Sequence, residues 1–383
     1  MNKVYIVEMG SFLPNAAVEN DAMEQVLGMV GDRPSRARRI TLRNNGIRSR
    51  HYAIDPVTGK STHNNAQICA LAVRQGLARA AWTVADVDIL ACGTASPDQL
   101  KPGHAAMVHA ELGEARLEAV SMAGVCCAGT AALKYAYLML KSGEARRAIA
   151  TGSELASSFM VARNFSFESA PIIAAANDQL GLAFEKDFLR WMLSDGAGAA
   201  LLATQPHAER MSLRIDWIEG VSLANELPVC MYSGGVKNED GTLRGWRDAP
   251  NPADLIQEHY FAIKQDARLL DEHVTKLITK DTVGAMLAKH DVRAADIDWF
   301  LPHYSSQYFR PVLAKALAEA GVNIADERWF SNLATVGNIG AGSIYLMLDE
   351  LLHSGKLKRG ERILCFVPES ARFSVYYMLF TVV

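Results

Sequence analysis

Two adjacent cysteines, Cys126 and Cys127, stand at the junction between an apolar segment and a run of small residues. Ala128 and Gly129, which follow them, allow the chain to turn sharply from a strand into a helix. A thiol at a helix N-terminus faces unpaired backbone N–H groups and the positive helix end, and both favour the thiolate. A thiolate is a nucleophile and a thioester is its natural acyl product. Spacing alone does not separate the two thiols, and an inert buried thiol is the alternative interpretation.

A histidine and an asparagine follow in the second half of the chain. His303 follows the apolar strand 297–301 in Pro-His-Tyr-Ser-Ser, and Asn338 begins a helix in the glycine-rich stretch Gly-Asn-Ile-Gly-Ala-Gly-Ser. Each has an ordinary structural interpretation, since a histidine can be satisfied in a core and an asparagine can cap a helix. Their significance therefore depends on where the fold places them.

The elements that must position these residues form an internal repeat. Each half contains an acidic turn with an apolar strand, then an amphipathic helix that ends at Ser-Gly, then a basic turn with a second apolar strand. The offset is 295 − 85 = 210 residues at the first strands and 355 − 143 = 212 at the glycines that end the helices. The matching segments are 85–96 with 295–306, 129–143 with 340–355, and 147–151 with 362–367. This order predicts βαβ units with right-handed crossovers in an α/β fold.

The repeat predicts two similar halves related by a pseudo-twofold axis. His303 falls opposite Gly93 (303 − 210 = 93), and Asn338 is the counterpart of Cys127 (338 − 211 = 127). Cys127, His303 and Asn338 are therefore expected to meet at the centre. The boundary falls near residues 204–210. We thus predict an N-terminal half at 1–205 with the cysteine and a C-terminal half at 206–383 with the histidine and asparagine.

Four motifs carry a resemblance to a known family. Cys127-Ala-Gly, Pro-His303, Gly-Asn338 and Ser-Asp195-Gly-Ala-Gly-Ala resemble the motifs of the β-ketoacyl-acyl-carrier-protein synthase III family, along essentially the whole chain. The resemblance implies an α/β thiolase fold with two pseudo-symmetric βαβαβ halves in a five-layered arrangement, and a homodimer. It also implies that Cys127 is acylated from a thioester, carried by an acyl carrier protein with acyl-phosphopantetheine or by coenzyme A.

The same resemblance assigns roles to the other site residues. We expect no cofactor and no metal. His303 and Asn338 are expected to stabilise the carbonyl oxygen of the incoming thioester as a carbanion forms. The oxyanion hole is expected to use the backbone N–H groups of Cys127 and Ala371, although the family's glycine-rich turn here reads Pro368-Glu-Ser-Ala-Arg-Phe373.

Further departures point to a subgroup. The stretch 40–47 has no tryptophan and has Asn44 where the family has an arginine for coenzyme A, and the family's Gly-Ser-Asp stretch becomes Gly152-Ser-Glu154. These features resemble the ketosynthase–cyclases of dialkylresorcinol and stilbene biosynthesis. Such enzymes join a β-ketoacyl thioester to an α,β-unsaturated acyl thioester and close a cyclohexane-1,3-dione. Glu154 is then a general base or proton shuttle if burial raises its pKa. A carboxylate tied to a nearby arginine is the alternative.

A cluster of arginines and two insertions remain. Residues 33–50 contain seven arginines and no acidic residue. We expect Arg36, Arg39 and Arg43 to attract an acidic carrier protein or its phosphate, and a solvated face is the alternative. Residues 155–192 and 220–262 do not fit the repeat. We expect them to be lids, pocket walls or a subunit interface, or else ordinary core.

The overall composition restricts the class of protein. Half of the 383 residues are hydrophobic and 21% are charged, as in soluble globular proteins, and the net charge of −3 argues against nucleic-acid binding. No apolar run is long enough to span a membrane, and the N-terminus does not resemble a signal peptide. The six cysteines form no C-x-x-C pair, which favours a reducing cytoplasm over a metal or disulfide framework.

Four functions are compatible with these patterns. The first is the dione-forming condensation, and the second is the standard synthase III reaction, a decarboxylative condensation with malonyl-carrier protein that starts fatty-acid synthesis. The third is acyl transfer from Cys127 to an alcohol or amine. A non-catalytic partner subunit is the fourth, but the intact cysteine and histidine argue against it.

Overall fold

A mixed β-sheet is the framework of the fold. The computed structural model describes residues 2–30, 36–113, 115–164 and 189–383. The strands, numbered along the chain, are β1 (Tyr5–Phe12), β2 (Val18–Glu19), β3 (Ser49–Arg50), β4 (Ile89–Thr94), β5 (Glu118–Ala123), β6 (Arg147–Glu154), β7 (Gly196–Ala203), β8 (Leu213–Ser222), β9 (Met231–Tyr232), β10 (Gly235–Lys237), β11 (Leu243–Gly245), β12 (Lys264–Gln265), β13 (Trp299–Pro302), β14 (Arg362–Glu369) and β15 (Ser374–Val382).

Helices cover both faces of this sheet. The α-helices of the described residues are α1 (Met23–Leu27), α2 (Arg36–Asn45), α3 (Asn65–Ala80), α4 (His104–Leu112), α5 (Cys127–Ser142), α6 (Ser157–Met160), α7 (Asp254–Gln257), α8 (Ala267–His273), α9 (Ala285–Lys289), α10 (Phe309–Glu319), α11 (Leu333–Val336) and α12 (Ser343–His353). None of the described helices is long and apolar enough to cross a membrane.

Nine strands pair in the order β13-β14-β15-β8-β1-β7-β6-β4-β5, in which two similar groups meet at β1 and β8. In one group β4 and β6 are parallel and β6 and β7 antiparallel; in the other, β13 and β14 are parallel and β14 and β15 antiparallel. The groups join through a short ladder of two residue pairs, Tyr5 with Arg214 and Ile6 with Leu213. The α/β class and the repeated strand–helix–strand order are confirmed. The boundary at 205–206 lies in the loop between β7 and β8 and stays a prediction.

The buried apolar side chains form three main layers of core. One lies between the N-terminal strands and helices α3 and α4. A second surrounds α5 and α12, which pack between strands of the two groups. A third lies between the C-terminal strands and helices such as α8 and α10. This layering of helices and sheets is the thiolase-like arrangement.

The two repeat helices form largely where the sequence predicts them, with one difference. Helix α5 buries Leu133, Ala136 and Leu140 along one face and ends at Gly143, whose left-handed φ of 94° stops the helix. In the second half, residues 340–342 form a 3-10 turn, and α12 begins only at Ser343. Gly340 has a φ of 48°, which lies outside the α-helical region, so the helix cannot begin at Asn338.

Helix α5 and the turn before α12 touch through their backbones. A side chain at Gly129, in the first turn of α5, would overlap the carbonyl oxygen of Ala341, and so would one at Gly152 in β6. The Tyr345 hydroxyl donates to the carbonyl oxygen of Gly129 at 2.7 Å. The absence of a Cβ at both glycines therefore allows the two halves to meet closely at the centre.

Candidate active site

A cavity of about 1050 Å³, its mouth included, opens where the two halves meet. Its walls are mainly apolar and include Leu189, Leu193, Ile263, Leu270, Leu277 and Phe309. Its polar residues include Ser96, Cys126, Glu154, His303, Asn338 and Glu369. Apolar walls with a few convergent polar groups suit an acyl chain that ends in a reactive thioester.

The two cysteines face different surroundings. Cys126 is the N-cap residue of α5 and lines the cavity. Cys127, the first residue of the helix, is 5% exposed and belongs to the central core. Its thiol donates to the carbonyl oxygen of Val367 at 3.3 Å. Cys126 thus lines the cavity together with His303 and Asn338, and Cys127 is not among the lining residues. The predicted role of Cys127 as the nucleophile stays a prediction.

Both thiols are protonated in this environment. Burial raises the pKa of Cys126, and the negative charges of Glu369 and Glu154 raise it further. Burial followed by the charge of Glu369 also raises the pKa of Cys127. A helix N-terminus favours a thiolate, but here burial and the carboxylates outweigh it. Cys126 therefore needs a proton acceptor before it can act as a nucleophile.

Glu154 ends strand β6 and lies in the cavity wall with little exposure. One carboxylate oxygen accepts from the backbone N–H groups of Ala95 (3.0 Å) and Ala341 (3.3 Å), and the other accepts from the Ser96 hydroxyl at 2.5 Å. Burial raises the pKa of Glu154 to about 7, although these hydrogen bonds oppose the shift. No ion pair between described residues involves Glu154, so the structure does not show the arginine partner of the alternative interpretation.

His303 and Asn338 lie in two different connecting segments of the C-terminal half. His303 follows β13, and its backbone N–H donates to Phe366 in the neighbouring strand at 2.8 Å. Burial lowers the pKa of His303 to about 4, so its ring is neutral near pH 7. Asn338 Oδ1 accepts from the N–H of Gly340 at 2.9 Å, which leaves the Nδ2 group as the donor available to the cavity.

The backbone of Asn338 is fixed by the turn before β7. Its N–H donates to the carbonyl oxygen of Met192 at 3.0 Å, and its own carbonyl oxygen accepts from Ser194 at 2.9 Å. Asp195 holds that turn, because its carboxylate accepts from the backbone N–H of Ala53 at 2.7 Å and from that of Ser157 at 2.8 Å. The Ser-Asp195-Gly motif therefore has a structural role that positions Asn338.

The last residue of β14, Glu369, and the first residue after it, Ser370, line the cavity. Ala371 is not among the lining residues. The carbonyl oxygen of Ala371 accepts from the backbone N–H groups of Cys230 and Met231 at 2.9 and 3.2 Å. The structure gives no contact between the N–H of Ala371 and the cavity, so its expected place in an oxyanion hole stays a prediction.

The arginine cluster separates into buried and exposed members. Arg38 bonds to Glu24 and Arg50 to Asn20, both at 2.6 Å, so these two have structural partners. Arg39 and Arg43 are exposed on α2. Arg36 starts the same helix, and its side chain, like Arg33, lies outside the described residues.

A second cavity beside α2 is lined by residues that include Thr41, Asn44 and Tyr308. It shares Leu270 and Phe309 with the main cavity. The two cavities therefore share part of a wall on the side of α2. The predicted carrier-binding residues Arg39 and Arg43 lie on this helix.

The two insertions contribute walls to the cavity. Ala156, Phe159 and Leu189 come from the described parts of residues 155–192, and 165–188 lie outside the described residues. Met231 and Ser233 come from residues 220–262. Their expected role as pocket walls fits these positions.

Sequence reasoning did not single out Glu369 and preferred Cys127 to Cys126. The available signal for Glu369 was an acidic residue at the end of an apolar strand, in the turn that departs from the family's pattern. For the cysteines, helix register was the available signal. Adjacent helical residues point about 100° apart, so the residue at which the helix starts determines which thiol points more directly at the cavity.

The chain is similar in sequence to known acyl-carrier-protein synthases. Residues 287–367 match the family described as 3-Oxoacyl-[acyl-carrier-protein (ACP)] synthase III C terminal. A beta-ketoacyl-[acyl-carrier-protein] synthase III of Clostridium perfringens is 23% identical over 368 residues, covering 95% of this chain and 95% of that protein. The synthase III of Mesorhizobium japonicum is 26% identical over 356 residues, covering 93% and 92%.

Solved structures have the same fold along the whole chain. A tetronic acid condensing enzyme, AbyA1, superposes with a TM-score of 0.75 at 22% identity, covering 99% of both chains. A variant of OleA from Xanthomonas campestris, solved with bound lauric acid and lauroyl-CoA, gives 0.75 at 19% identity, covering 100% of this chain and 99% of that one. The synthase III of Aquifex aeolicus gives 0.70 at 19% identity, covering 100% of both.

The fold and the cavity with its cysteine, histidine and asparagine define a thiolase-like condensing enzyme, which is an acyltransferase. The C-terminal family match and the relatives along the full length make the chain similar to the 3-oxoacyl-[acyl-carrier-protein] synthase III family.

Proposed function

We propose that the enzyme takes an acyl group from a thioester onto Cys126 and then joins it to the α-carbon of a second acyl thioester. The observation that carries this proposal is one apolar cavity that brings Cys126, His303 and Asn338 together. The residues that line this cavity include Cys126 and do not include Cys127. Cys126 therefore replaces Cys127 as our candidate nucleophile.

His303 and Asn338 suit the stabilisation of a developing enolate. The neutral ring of His303 carries one N–H, and the Nδ2 group of Asn338 supplies further donors. Both lie in a cavity with apolar walls, where donors aimed at a developing charge stabilise it more than they do in water. The ground-state carbonyl oxygen carries less charge than the enolate, so these donors favour the condensation step.

The relatives favour decarboxylative condensation as the first candidate reaction. In this reaction a malonyl thioester on a carrier protein loses carbon dioxide, and the carbanion attacks the acyl group on Cys126 to give a β-ketoacyl thioester. Loss of carbon dioxide itself generates the carbanion, so the reaction requires oxyanion donors but no general base. The site supplies such donors, and the curated relatives carry the name of this activity.

One observation favours a second candidate, the condensation that forms a cyclohexane-1,3-dione. Glu154 is a cavity carboxylate whose pKa is raised to about 7 by burial, which suits a base that removes a proton from the α-carbon of a β-ketoacyl thioester. The carbanion then adds to an α,β-unsaturated acyl thioester. Claisen closure by the γ-carbon of the β-ketoacyl chain then expels one thiol. Hydrolysis of the remaining thioester and loss of carbon dioxide leave a 2,5-disubstituted ring, the precursor of a dialkylresorcinol or stilbene.

Product analysis distinguishes these candidates. The purified enzyme receives an acyl thioester with a malonyl thioester, or a 2-enoyl thioester with a β-ketoacyl thioester, each on a carrier protein and on coenzyme A. A β-ketoacyl product with release of carbon dioxide supports the first candidate, and a cyclic dione identified by mass supports the second. Esters or amides formed with added alcohols or amines, without a new carbon–carbon bond, contradict both.

Substrate delivery and cellular location complete the proposal. The exposed Arg39 and Arg43 beside the second cavity suit an acidic carrier protein whose phosphopantetheine arm enters toward Cys126. None of the six cysteines forms a disulfide, which agrees with the reducing cytoplasm we expect for this enzyme.

We also propose a homodimer through strand β5. This strand is the edge of the nine-stranded sheet, and its residues are exposed or half-exposed along its length. An exposed edge presents unpaired N–H and C=O groups that another strand can pair with. Light scattering should give twice the chain mass of 41.8 kDa. Val120→Lys, which places a charge on the strand, should shift the mass toward one chain. A wild-type mass of 41.8 kDa contradicts the proposal.

A further inference from the structure

Glu369 places a carboxylate at the start of the nucleophile helix. It is the last residue of β14 and lines the cavity that contains Cys126. Its Oε2 accepts from the backbone N–H of Val125 at 3.1 Å. Burial raises the pKa of Glu369, and hydrogen bonds from the backbone N–H groups of Val125 and Cys127 oppose the shift. The carboxylate therefore accepts from backbone N–H groups on both sides of Cys126.

This contact changes the electrostatics of the helix end. Unpaired N–H groups at a helix N-terminus favour a thiolate and can bind the oxygen of an acyl group. Here a carboxylate already occupies donors on either side of Cys126, and its charge raises the pKa of that thiol. The resting site therefore holds a neutral thiol, and donors that a substrate needs are engaged.

Few other titratable groups face this carboxylate. At the start of α5 they are Cys126 and Cys127, and from β15 there is Tyr376, whose pKa is raised by burial and also by the charge of Glu369. Across the cavity lie Glu154 and His303. Glu154 already accepts three hydrogen bonds from protein donors. Of the two cavity carboxylates, Glu369 is thus the one that lies at the start of α5, beside Cys126.

We propose that Glu369 is the proton acceptor for Cys126 during acylation, and that accepting the proton frees the helix N–H groups for the substrate. The Cys126 thiol gives its proton to the Glu369 carboxylate, and the thiolate attacks the thioester carbonyl. The new carbon–sulfur bond forms as the bond to the departing thiol breaks. The departing thiolate takes the proton back from Glu369. A neutral carboxylic acid is a weaker acceptor than a carboxylate, so protonation of Glu369 weakens its hydrogen bonds from the backbone N–H groups. This happens as the acyl oxygen becomes negative and needs those donors.

The inference rests on the proposed acylation of Cys126 but not on the second substrate. Its test is therefore the half-reaction alone, with lauroyl-coenzyme A as the acyl donor and the mass of the intact protein as the readout. Glu369→Gln keeps an oxygen that can accept from Val125, so the fold is expected to persist, with a melting temperature close to that of the wild type. Glu327→Gln, on the surface, is the matched control.

We expect Glu369→Gln to acylate roughly 100-fold or more slowly near pH 7, since it lacks the internal base. The wild-type rate should rise as pH increases through the pKa of Glu369, because the base must be deprotonated. The variant should lack this limb and approach the wild type only as the pH reaches the pKa of the thiol. A variant that acylates within threefold of the wild type, with the same pH profile, overturns the proposal.

A second measurement needs no thioester. Alkylation of Cys126 by iodoacetamide reports the thiolate, so its pH profile should move to lower pH in Glu369→Gln, where the negative charge beside the thiol is gone. An unmoved profile overturns the proposal, because it means that the carboxylate does not act on this thiol. If acyl-Cys126 forms normally but no carbon–carbon bond follows, the proposed function fails and the role of Glu369 stands.

Discussion

We expect Cys126→Ala to form no acyl-enzyme and to lose condensing activity by roughly 10,000-fold or more, because the covalent intermediate cannot form. Cys127→Ala should still be acylated at a rate within a few-fold of the wild type. Its thiol bonds to the carbonyl oxygen of Val367 inside the core, and Cys127 does not line the cavity. Its loss should lower the free energy of unfolding by roughly 1 kcal/mol.

Mass spectrometry of the intact protein after exposure to an acyl thioester measures both variants, and peptide mapping locates the adduct. Each variant is the other's control, because both remove one sulfur from adjacent positions. Acylation that survives in Cys126→Ala and disappears in Cys127→Ala contradicts our placement of the nucleophile. It would mean that α5 starts in a different register when substrate is bound.

The second large effect is expected at Glu154. Glu154→Gln removes a base but keeps a side chain of the same shape that can accept from Ala95 and Ala341. If the β-ketoacyl substrate is activated by proton removal, carbon–carbon bond formation should fall roughly 100- to 10,000-fold. Acylation of Cys126 should persist, so acyl-enzyme should accumulate. Burst kinetics that follow acyl-enzyme and product separately distinguish the two steps.

The pH dependence provides an independent check on Glu154. Burial raises its pKa to about 7, so it is increasingly protonated below neutrality and cannot act as a base. The condensation rate with a β-ketoacyl substrate should therefore rise as pH increases through about 7. In Glu154→Gln this limb should disappear, while Glu327→Gln should retain it. With a malonyl substrate no base is required, and a rate that is insensitive to Glu154→Gln favours the decarboxylative reaction instead.

The fold could be predicted from the sequence because it repeats. The apolar segments that became β4 and β6, and the helix α5 between them, have counterparts in β13, β14 and α12 at offsets that differ by only a few residues. The predicted start of the second repeat helix failed at Asn338. Gly340 adopts a left-handed φ there, and a backbone turn of that kind depends on contacts with Met192 and Ser194 that are remote in sequence.

The site was predicted in part. His303, Asn338 and Glu154 do line one cavity, as strand ends and a turn at the centre of a two-fold repeat should. The choice between Cys126 and Cys127 depends on helix register, which a motif fixes only when the helix starts at the same residue. Glu369 could not be predicted, since its significance arises from a contact with Val125, 244 residues away in the chain.

The backbone contact of Gly129 and Gly152 with Ala341 also determines how the enzyme admits its substrates. With two polypeptide backbones pressed together, the centre of the molecule has no room to hinge, because packed interiors deform little. Any movement that opens or closes the cavity must therefore occur in the insertions that form its walls, such as the segment around Met231 and Ser233. The catalytic groups can then stay rigid while substrate range diverges through the walls alone. Related enzymes should differ in what they accept mainly where these insertions differ in length and side chains.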